Sequence, residues 1–301
     1  MITYMHEQFI AHAIESVLMQ QANFDFELVI GEDCSTDQTR SIINIYSEKY
    51  PSKIKLLESK DNLGVKENFI RTLQSCTGEY IACLEGDDYW TDPLKLQKQV
   101  NFFENDTSKK YSLCYHDSYV INSDGVLICD SLINGFEGDL TSNDVILGKT
   151  IPTQTVMFRK ECLELMTFKK LKAKNLDTFL FTLLSQKGKL RALSDVGNSV
   201  YRIHSGGIWS NLDIKAKYLE SLLYQSEVYN YLNRIQKKLV VKRIYDMSNE
   251  IIYGQISFKD YLFFKLECIK VLIEKYEYEY VKLIICDLFN IVKNKVKFKL
   301  K

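Results

Sequence analysis

The apolar residues in the first half of the chain fall into two kinds of pattern. Residues 26–30, 54–57 and 80–84 are short apolar runs of strand length, whereas the apolar positions within 9–18 and 69–73 recur every three or four residues. Strands that alternate with amphipathic helices are typical of βαβ units. We therefore predict an α/β fold with a mainly parallel sheet flanked by helices.

The second half of the chain departs from this pattern twice. Asp124 and Gly125 separate two short apolar runs, which indicates a β-hairpin and hence a mixed sheet. Further on, the strand signals stop and long amphipathic helical patterns follow one another. The sequence thus predicts an α/β domain over residues 1–212 and a helical region over residues 213–301.

Two of the predicted strands end in acidic clusters. These are Glu32, Asp33 and Asp37 after the strand at 26–30, and Glu85, Asp87 and Asp88 after the strand at 80–84. In an open α/β sheet the ligand crevice lies outside the carboxyl ends of the strands, so Asp33 and Asp87 are predicted to be neighbours. Crowded carboxylates stay ionised when a hard divalent cation lies between them. The pattern predicts a site for a cation that carries phosphates.

The acidic clusters also have a purely structural interpretation. Carboxylates are favoured at helix N-termini without any ligand. Ser35 followed by Gln38 fits a capping box, and Asp37 fits a helix cap as well. The residues alone leave both interpretations open.

Composition narrows the classes of function. With 301 residues, of which 46% are hydrophobic, the chain can bury a large core. Lys plus Arg and Asp plus Glu number 39 each, so the net charge is zero and no basic field favours a nucleic-acid partner. Eight cysteines without a C-x-x-C pair predict reduced thiols in a cytosolic compartment. We find no signal-peptide pattern and no apolar run of membrane-spanning length, and we expect a cytoplasmic protein.

Four motifs follow one another at compatible spacing. They read E-D-C-S-T-D-Q-T at 32–39, N-L-G at 62–64, L-E-G-D-D-Y-W at 84–90 and Y-R-I-H-S-G-G at 201–207. Together they resemble the inverting family 2 glycosyltransferases of the GT-A fold, in the branch of bacterial polysaccharide enzymes. The resemblance covers residues 1 to about 210. Two positions depart from the family: Glu85 stands where Asp is usual, and Met5 stands where Asn is typical.

The resemblance implies a metal-dependent site for a sugar nucleotide. Asp87 is implied to bind Mn²⁺ or Mg²⁺ with Asp88 in reserve, and His204 is implied to close onto the metal or the diphosphate. The alternative for His204 is a hydrogen-bonded structural histidine. The donor contacts that the resemblance implies are Glu32, Asp33, Asp37, Asn62, Glu85 and Arg202. The implied donor is a uridine diphosphate sugar of hexosyl or N-acetylhexosaminyl type.

Asp177 is the candidate catalytic base. Inversion at the anomeric carbon requires a base that removes the proton of the acceptor hydroxyl. Asp177 precedes a helical apolar run, where the resembled family places its base carboxylate. Its structural alternative is a helix cap beside Thr178.

Taken together, these features predict an inverting glycosyltransferase that acts on a glycan or lipid-linked acceptor in surface polysaccharide synthesis. The alternatives are a catalytically silent nucleotide-sugar-binding module and a nucleotidyltransferase, although the start of the chain lacks the glycine-rich, basic phosphate loop of the latter. Lysines at alternate positions from 293 to 301 predict either a solvated tail or attraction to anionic lipid headgroups at the inner face of the cell membrane.

Overall fold

The computed structural model describes residues 1–164, 167–168, 171–250, 257–275 and 277–299. The chain forms two compact units, Met1–Ser210 and Asn211–Lys301. The strands of the first unit are β1 (Ile2–Thr3), β2 (Leu28–Glu32), β3 (Ile54–Leu57), β4 (Tyr80–Ala82), β5 (Tyr111–Tyr115), β6 (Ser118–Asn122), β7 (Leu127–Cys129), β8 (Gly138–Leu140), β9 (Met157–Arg159), β10 (Lys189–Ala192) and β11 (Ser199–Ile203). Its α-helices are α1 (Ile10–Leu18), α2 (Thr39–Lys49), α3 (Val65–Ser75), α4 (Lys95–Asn105), α5 (Ser142–Ile146) and α6 (Leu176–Ser185).

Three ladders make up the sheet of the first unit. β1, β2 and β3 pair in parallel in that order. A mixed ladder has the order β4-β9-β5-β10-β8, and a third has the order β11-β6-β7. A parallel bridge between Ile2 and Glu85 joins β1 to the loop after β4, and an antiparallel bridge between Tyr89 and Val200 joins the same loop to β11. The predicted α/β fold, parallel at first and mixed afterwards, is confirmed.

The predicted hairpin at Asp124 and Gly125 is also confirmed. β6 and β7 pair antiparallel on either side of this turn. Gly125 has a φ of 83°, in the left-handed region where only glycine avoids a steric penalty from Cβ.

The core of the first unit surrounds β2. This strand is buried along its whole length, as expected for a parallel strand covered on both faces. α1 buries Ile10, Ile14 and Val17, which recur at the spacing of one helical face. Each fully buried aliphatic side chain contributes roughly 1.5–3 kcal/mol to folding. This packing fixes the carboxyl end of β2, where the first acidic cluster begins.

The start of α2 differs from the prediction. The helix begins at Thr39 with Gln38 as its N-cap and without a capping hydrogen bond from the Gln38 side chain, so the capping box of Ser35 and Gln38 does not form. The Ser35 hydroxyl instead accepts a hydrogen bond from the Met5 N–H at 3.0 Å. The reason is that Cys34 has a φ of 61°, which turns the chain before the helix starts.

The second unit is helical, which confirms the prediction for the last third of the chain. Its helices are α7 (Ile214–Val228), α8 (Arg234–Glu250), α9 (Phe258–Glu274) and α10 (Tyr278–Lys299). α9 packs against each of the other three. The lysines from 293 to 299 belong to α10, while Lys301 lies outside the described residues.

Among the helices of the described ranges, none combines the length and the apolar composition that a membrane span requires.

Candidate metal centre and donor site

β1 lies between the two acidic strand ends. Thr3 pairs with Glu32 in parallel register, and its carbonyl accepts a hydrogen bond from the Asp33 N–H at 3.2 Å. On the other side of β1, the Gly86 N–H donates to the Ile2 carbonyl at 3.0 Å. One strand therefore separates the two clusters, and both leave the sheet at the same edge, as the sequence predicts.

At this edge His6, Asp87 and His204 form a cluster. The His204 Nε2 atom lies 2.9 Å from Asp87 Oδ2, and the His6 Nε2 atom lies 3.7 Å from the same oxygen. One potential ligand atom from each of the three side chains lies within 4.8 Å of the others. The side chains are 14%, 15% and 7% exposed for His6, Asp87 and His204, so the cluster is shielded but open to solvent.

The cluster fits a divalent cation. Two ligands that each bind one ion at about 2.1 Å lie roughly 3 to 4 Å apart, and the two distances to Asp87 fall near that range. Two imidazole nitrogens and one carboxylate oxygen form a donor set that suits a borderline transition metal. The residues present therefore match the group that the fold implies.

Arg202 organises the acids from β11. Its backbone N–H donates to Asp88 Oδ1 at 2.8 Å, and its Nε donates to the Asp87 carbonyl at 3.1 Å. The guanidinium lies 4.6 Å from the centroid of the Phe9 ring and 5.7 Å from that of the Tyr89 ring. The resemblance implied that Arg202 contacts the donor. In the structure its side chain binds the backbone of the loop after β4.

The three carboxyls after β4 differ in their ionisation. Burial raises the pKa of Glu85 to about 8, and the charges of Asp87 and Asp177 act in the same direction. Burial and the charges of Asp87 and Glu85 raise the pKa of Asp88 well above its usual range. Burial also acts to raise the pKa of Asp87, but the hydrogen bond from His204 and the charges of the two histidines outweigh it and lower the pKa. Asp87 is thus the carboxylate that carries the negative charge.

Asp88 does not join the three-residue cluster. The residue is 1% exposed, and its Oδ2 finds no hydrogen-bond partner among the residues that the structure describes. Its other oxygen accepts the Arg202 N–H. Asp88 is thus buried and lies outside the cluster, and its assignment as a reserve metal ligand stays a prediction.

Glu32 also differs from its predicted role. The carboxylate has no exposed surface, forms an ion pair with Arg40, and accepts the Ser35 N–H at 2.6 Å. These contacts hold the turn after β2 and leave Glu32 shielded from a nucleotide.

Asp33, which is 3% exposed, Asp37 and Asn62 hold the loops at this edge through hydrogen bonds to the backbone. Asp33 Oδ1 accepts the Leu63 N–H at 2.8 Å, and its Oδ2 accepts the Gly64 N–H at 2.9 Å. The Asn62 amide donates to the Asp33 carbonyl at 3.2 Å. Asp37 accepts the Thr39 N–H at 3.0 Å and the Glu7 N–H at 3.1 Å, so it secures both the start of α2 and the loop before α1.

Asp177 lies within the first turn of α6. The N-cap of this helix is Asn175, so the alternative of Asp177 as the cap is wrong. Asp177 Oδ2 accepts a hydrogen bond from the Thr153 hydroxyl at 2.9 Å, and Oδ1 accepts the Thr178 N–H at 2.7 Å. The pKa of Glu85 is raised first by burial, then by the charge of Asp87, and then by the charge of Asp177. Asp177 thus acts electrostatically on the acidic cluster.

Sequence reasoning missed His6. The residue comes three positions after the end of β1 and lies in the loop before α1. A histidine just beyond a strand that ends at the acidic edge is a signal that would have found it. Gly86 makes the approach possible, because a Cβ atom there would lie 2.9 Å from His6 Nδ1 and 2.4 Å from Thr3 Oγ1.

The first part of this chain is similar to a known protein family. Residues 1–127 match the family model described as Glycosyl transferase family 2. An uncharacterized protein of Mycobacterium tuberculosis is 33% identical over 210 residues, which are 69% of this chain and 59% of that protein. The chain thus spans about three fifths of the length of the first curated relatives it matches.

A second curated relative matches a larger share of this chain than the mycobacterial protein does. The Escherichia coli protein WfaP, named UDP-Glc:alpha-D-GlcNAc-diphosphoundecaprenol beta-1,3-glucosyltransferase, is 25% identical over 247 residues. The match includes 82% of this chain and 90% of WfaP.

Solved structures share the fold. The crystal structure of S. aureus TarS in complex with UDP has a TM-score of 0.62 at 18% identity, over 91% of this chain and 80% of that chain. The mannosyltransferase PcManGT from Pyrobaculum calidifontis, in complex with GDP-Man and Mn²⁺, has a TM-score of 0.50 at 12% identity, over 100% of this chain and 79% of that chain. Residues 1–127 thus match a glycosyltransferase family model, and the solved structures show a shared fold.

Proposed function

We propose that this protein is a metal-dependent inverting glycosyltransferase that moves a sugar from a nucleoside diphosphate donor to a hydroxyl group. The observation that carries the proposal is the cluster of His6, Asp87 and His204 at the sheet edge next to Asp33. The family match over residues 1–127 supports the same reaction.

The metal requirement follows from the leaving group. Asp87, held in its ionised form, and His204 would hold a divalent cation at the diphosphate. When bound, such a cation supplies Lewis-acid stabilisation of the negative charge that develops on the departing diphosphate. The Mn²⁺ complex of PcManGT, which shares the fold, supports a divalent ion of this kind.

Asp177 is proposed as the base that activates the acceptor. Its carboxylate takes the proton of the acceptor hydroxyl while that oxygen forms a bond to the anomeric carbon and the bond from this carbon to the diphosphate oxygen breaks. The Thr153 hydroxyl donates to Asp177 Oδ2 and fixes its orientation. The electrostatic effect of Asp177 on Glu85 supports a position beside the reacting groups.

The donor and the acceptor are proposed from the relatives. A UDP sugar of hexosyl or N-acetylhexosaminyl type is favoured because TarS was solved with UDP and WfaP is named for UDP-Glc. A glycan or lipid-linked acceptor in surface polysaccharide synthesis is favoured by the diphosphoundecaprenol in the name of WfaP. The lysines from 293 to 301 would attract anionic lipid at the inner face of the membrane, and a solvated segment without lipid contact is the alternative.

Product analysis tests the proposed reaction. The full chain is incubated with a panel of UDP sugars, lipid-linked and glycan acceptors, and Mn²⁺ or Mg²⁺, and the released products are measured. A glycosyltransferase releases UDP in a metal-dependent manner. Release of pyrophosphate instead would identify a nucleotidyltransferase, and binding of UDP without any product would identify a silent module.

The Asp177→Asn variant tests the base. We expect turnover to fall about 10²- to 10⁴-fold, because a positioned base typically contributes that factor, while the affinity for UDP and metal stays the same. Binding is measured by calorimetry, and the matched control is Asp124→Asn in the exposed hairpin turn. An Asp177→Asn variant with wild-type turnover would reject Asp177 as the base.

A further inference from the structure

We propose that His6 is a third protein ligand of the catalytic cation, together with Asp87 and His204. This inference rests on the proposed function and deepens it, because it adds the loop between β1 and α1 to the metal site. The cation would then link three separate segments of the chain: the loop after β1, the loop after β4 and the residue after β11.

The distance between His6 and Asp87 is that expected for two ligands of the same metal ion. At 3.7 Å, the separation of His6 Nε2 and Asp87 Oδ2 is too long for a hydrogen bond. It is close to the roughly 3 to 4 Å expected for two ligands of one ion. The rings of His6 and His204 meet edge to face with centroids 5.7 Å apart, and the Nε2 atoms of both rings lie near Asp87 Oδ2.

The other ring nitrogen of His6 has the partner that a metal-binding histidine needs. Nδ1 lies 3.2 Å from the Thr3 hydroxyl, which can accept the Nδ1 proton. A histidine that donates through one nitrogen presents the lone pair of the other nitrogen to a metal. Thr3 itself is 3% exposed and belongs to a strand paired on both sides, so the support is rigid.

The backbone around His6 is held in place as well. The His6 N–H donates to the Thr39 hydroxyl at 2.8 Å, and the preceding Met5 has a φ of 58°, which is uncommon for a residue with a side chain. Gly86 leaves space for this loop, because any Cβ at that position would meet Thr3 and His6 at less than 3 Å. Contacts from α2, β1 and the β4 loop therefore direct His6 toward Asp87.

A ligand set with two imidazoles determines which cation the site prefers. Mg²⁺ favours oxygen ligands and keeps several waters, whereas imidazole nitrogen suits borderline transition metals. The site is thus expected to bind Mn²⁺ or Co²⁺ more tightly than Mg²⁺. Removal of His6 should reduce the difference in affinity between Mn²⁺ and Mg²⁺, because one nitrogen ligand is lost.

Binding of Mn²⁺ alone and with UDP tests this inference directly. The full chain is titrated, and free Mn²⁺ is followed by its electron paramagnetic resonance signal. We expect His6→Ala to weaken Mn²⁺ binding at least about tenfold, a loss typical of disturbing a metal site. The control is His12→Ala: His12 lies in α1, is exposed, and does not belong to the cluster of His6, Asp87 and His204. Its Mn²⁺ affinity should equal that of the wild type.

A second measurement needs only the wild type and so does not depend on how the variant folds. Electron spin-echo spectroscopy of the Mn²⁺ complex counts the coordinated imidazole nitrogens, and we expect two. One nitrogen, together with unchanged Mn²⁺ affinity in His6→Ala, would overturn the role of His6 while leaving the proposed function intact. A wild type that binds no Mn²⁺ with UDP would instead refute the metal-dependent function itself.

Discussion

Replacement of Gly86 by alanine tests the close contact between the loop after β4 and the segment that contains Thr3 and His6. The added Cβ would lie 2.4 Å from Thr3 Oγ1, 2.7 Å from Thr3 Cβ and 2.9 Å from His6 Nδ1. Carbon atoms pack best at about 3.5–4.0 Å, so Thr3 and His6 must move by roughly 1 Å. Such overpacking typically costs about 1–3 kcal/mol of folding free energy.

The same displacement should impair metal binding. A shift of roughly 1 Å is about half the length of a metal–nitrogen bond, so His6 would lose its place in the ligand set. We expect Gly86→Ala to lower both the stability measured by denaturant unfolding without metal and the affinity for Mn²⁺ with UDP measured by calorimetry.

Gly31→Ala is the matched control. A Cβ at that position would lie 2.0 Å from Thr72 Oγ1 and 2.7 Å from Asn68 Oδ1, so it crowds α3 instead of the first loop. It should lower stability and leave the Mn²⁺ affinity of the folded protein unchanged. Wild-type Mn²⁺ affinity in Gly86→Ala would refute the link between this approach and the metal site.

Two further substitutions probe the frame that supports the site. Burial lowers the pKa of Lys95 to about 7, so from about pH 7 to about pH 8.5 the unfolded chain binds more protons and stability rises with pH. Lys95→Met removes this effect, and denaturant unfolding at both pH values should show a pH-dependent gain about 1–2 kcal/mol smaller than in the wild type; equal gains would contradict the lowered pKa of Lys95. Asp33→Asn places an amide against the N–H groups of Leu63 and Gly64, and it should cost about 1–3 kcal/mol and weaken UDP binding. The control is Asp124→Asn in the exposed hairpin turn. An unchanged free energy of unfolding and an unchanged UDP affinity in Asp33→Asn would show that these two hydrogen bonds do not hold the loop of Leu63 and Gly64.

Local pattern was enough to predict the strand ends that build the site. The apolar runs before Glu32 and Glu85 became β2 and β4, and both lead to the same edge of the sheet. The hairpin at Gly125 followed from its need for a positive φ. These features depend on residues close together in the chain, which is why they were predictable.

Pairings between distant residues were not predictable in this way. The sequence does not show whether a carboxylate such as Glu32 faces a nucleotide or an internal partner. In the structure Glu32 forms an ion pair with Arg40, so its partner is internal. The role of Arg202 likewise depends on the return of β11 to the loop after β4. His6 gains its significance only because a strand of two residues, β1, inserts between β2 and β4.

Asp87 is proposed to anchor a cation that binds the donor diphosphate. Calorimetry of UDP binding with and without Mn²⁺ measures this linkage on the wild type, on Asp87→Ala and on the control Asp124→Ala. We predict that the wild type and the control bind UDP tightly only with Mn²⁺, and that Asp87→Ala loses this dependence together with the affinity. Tight, Mn²⁺-dependent UDP binding by Asp87→Ala would show that Asp87 does not hold the cation.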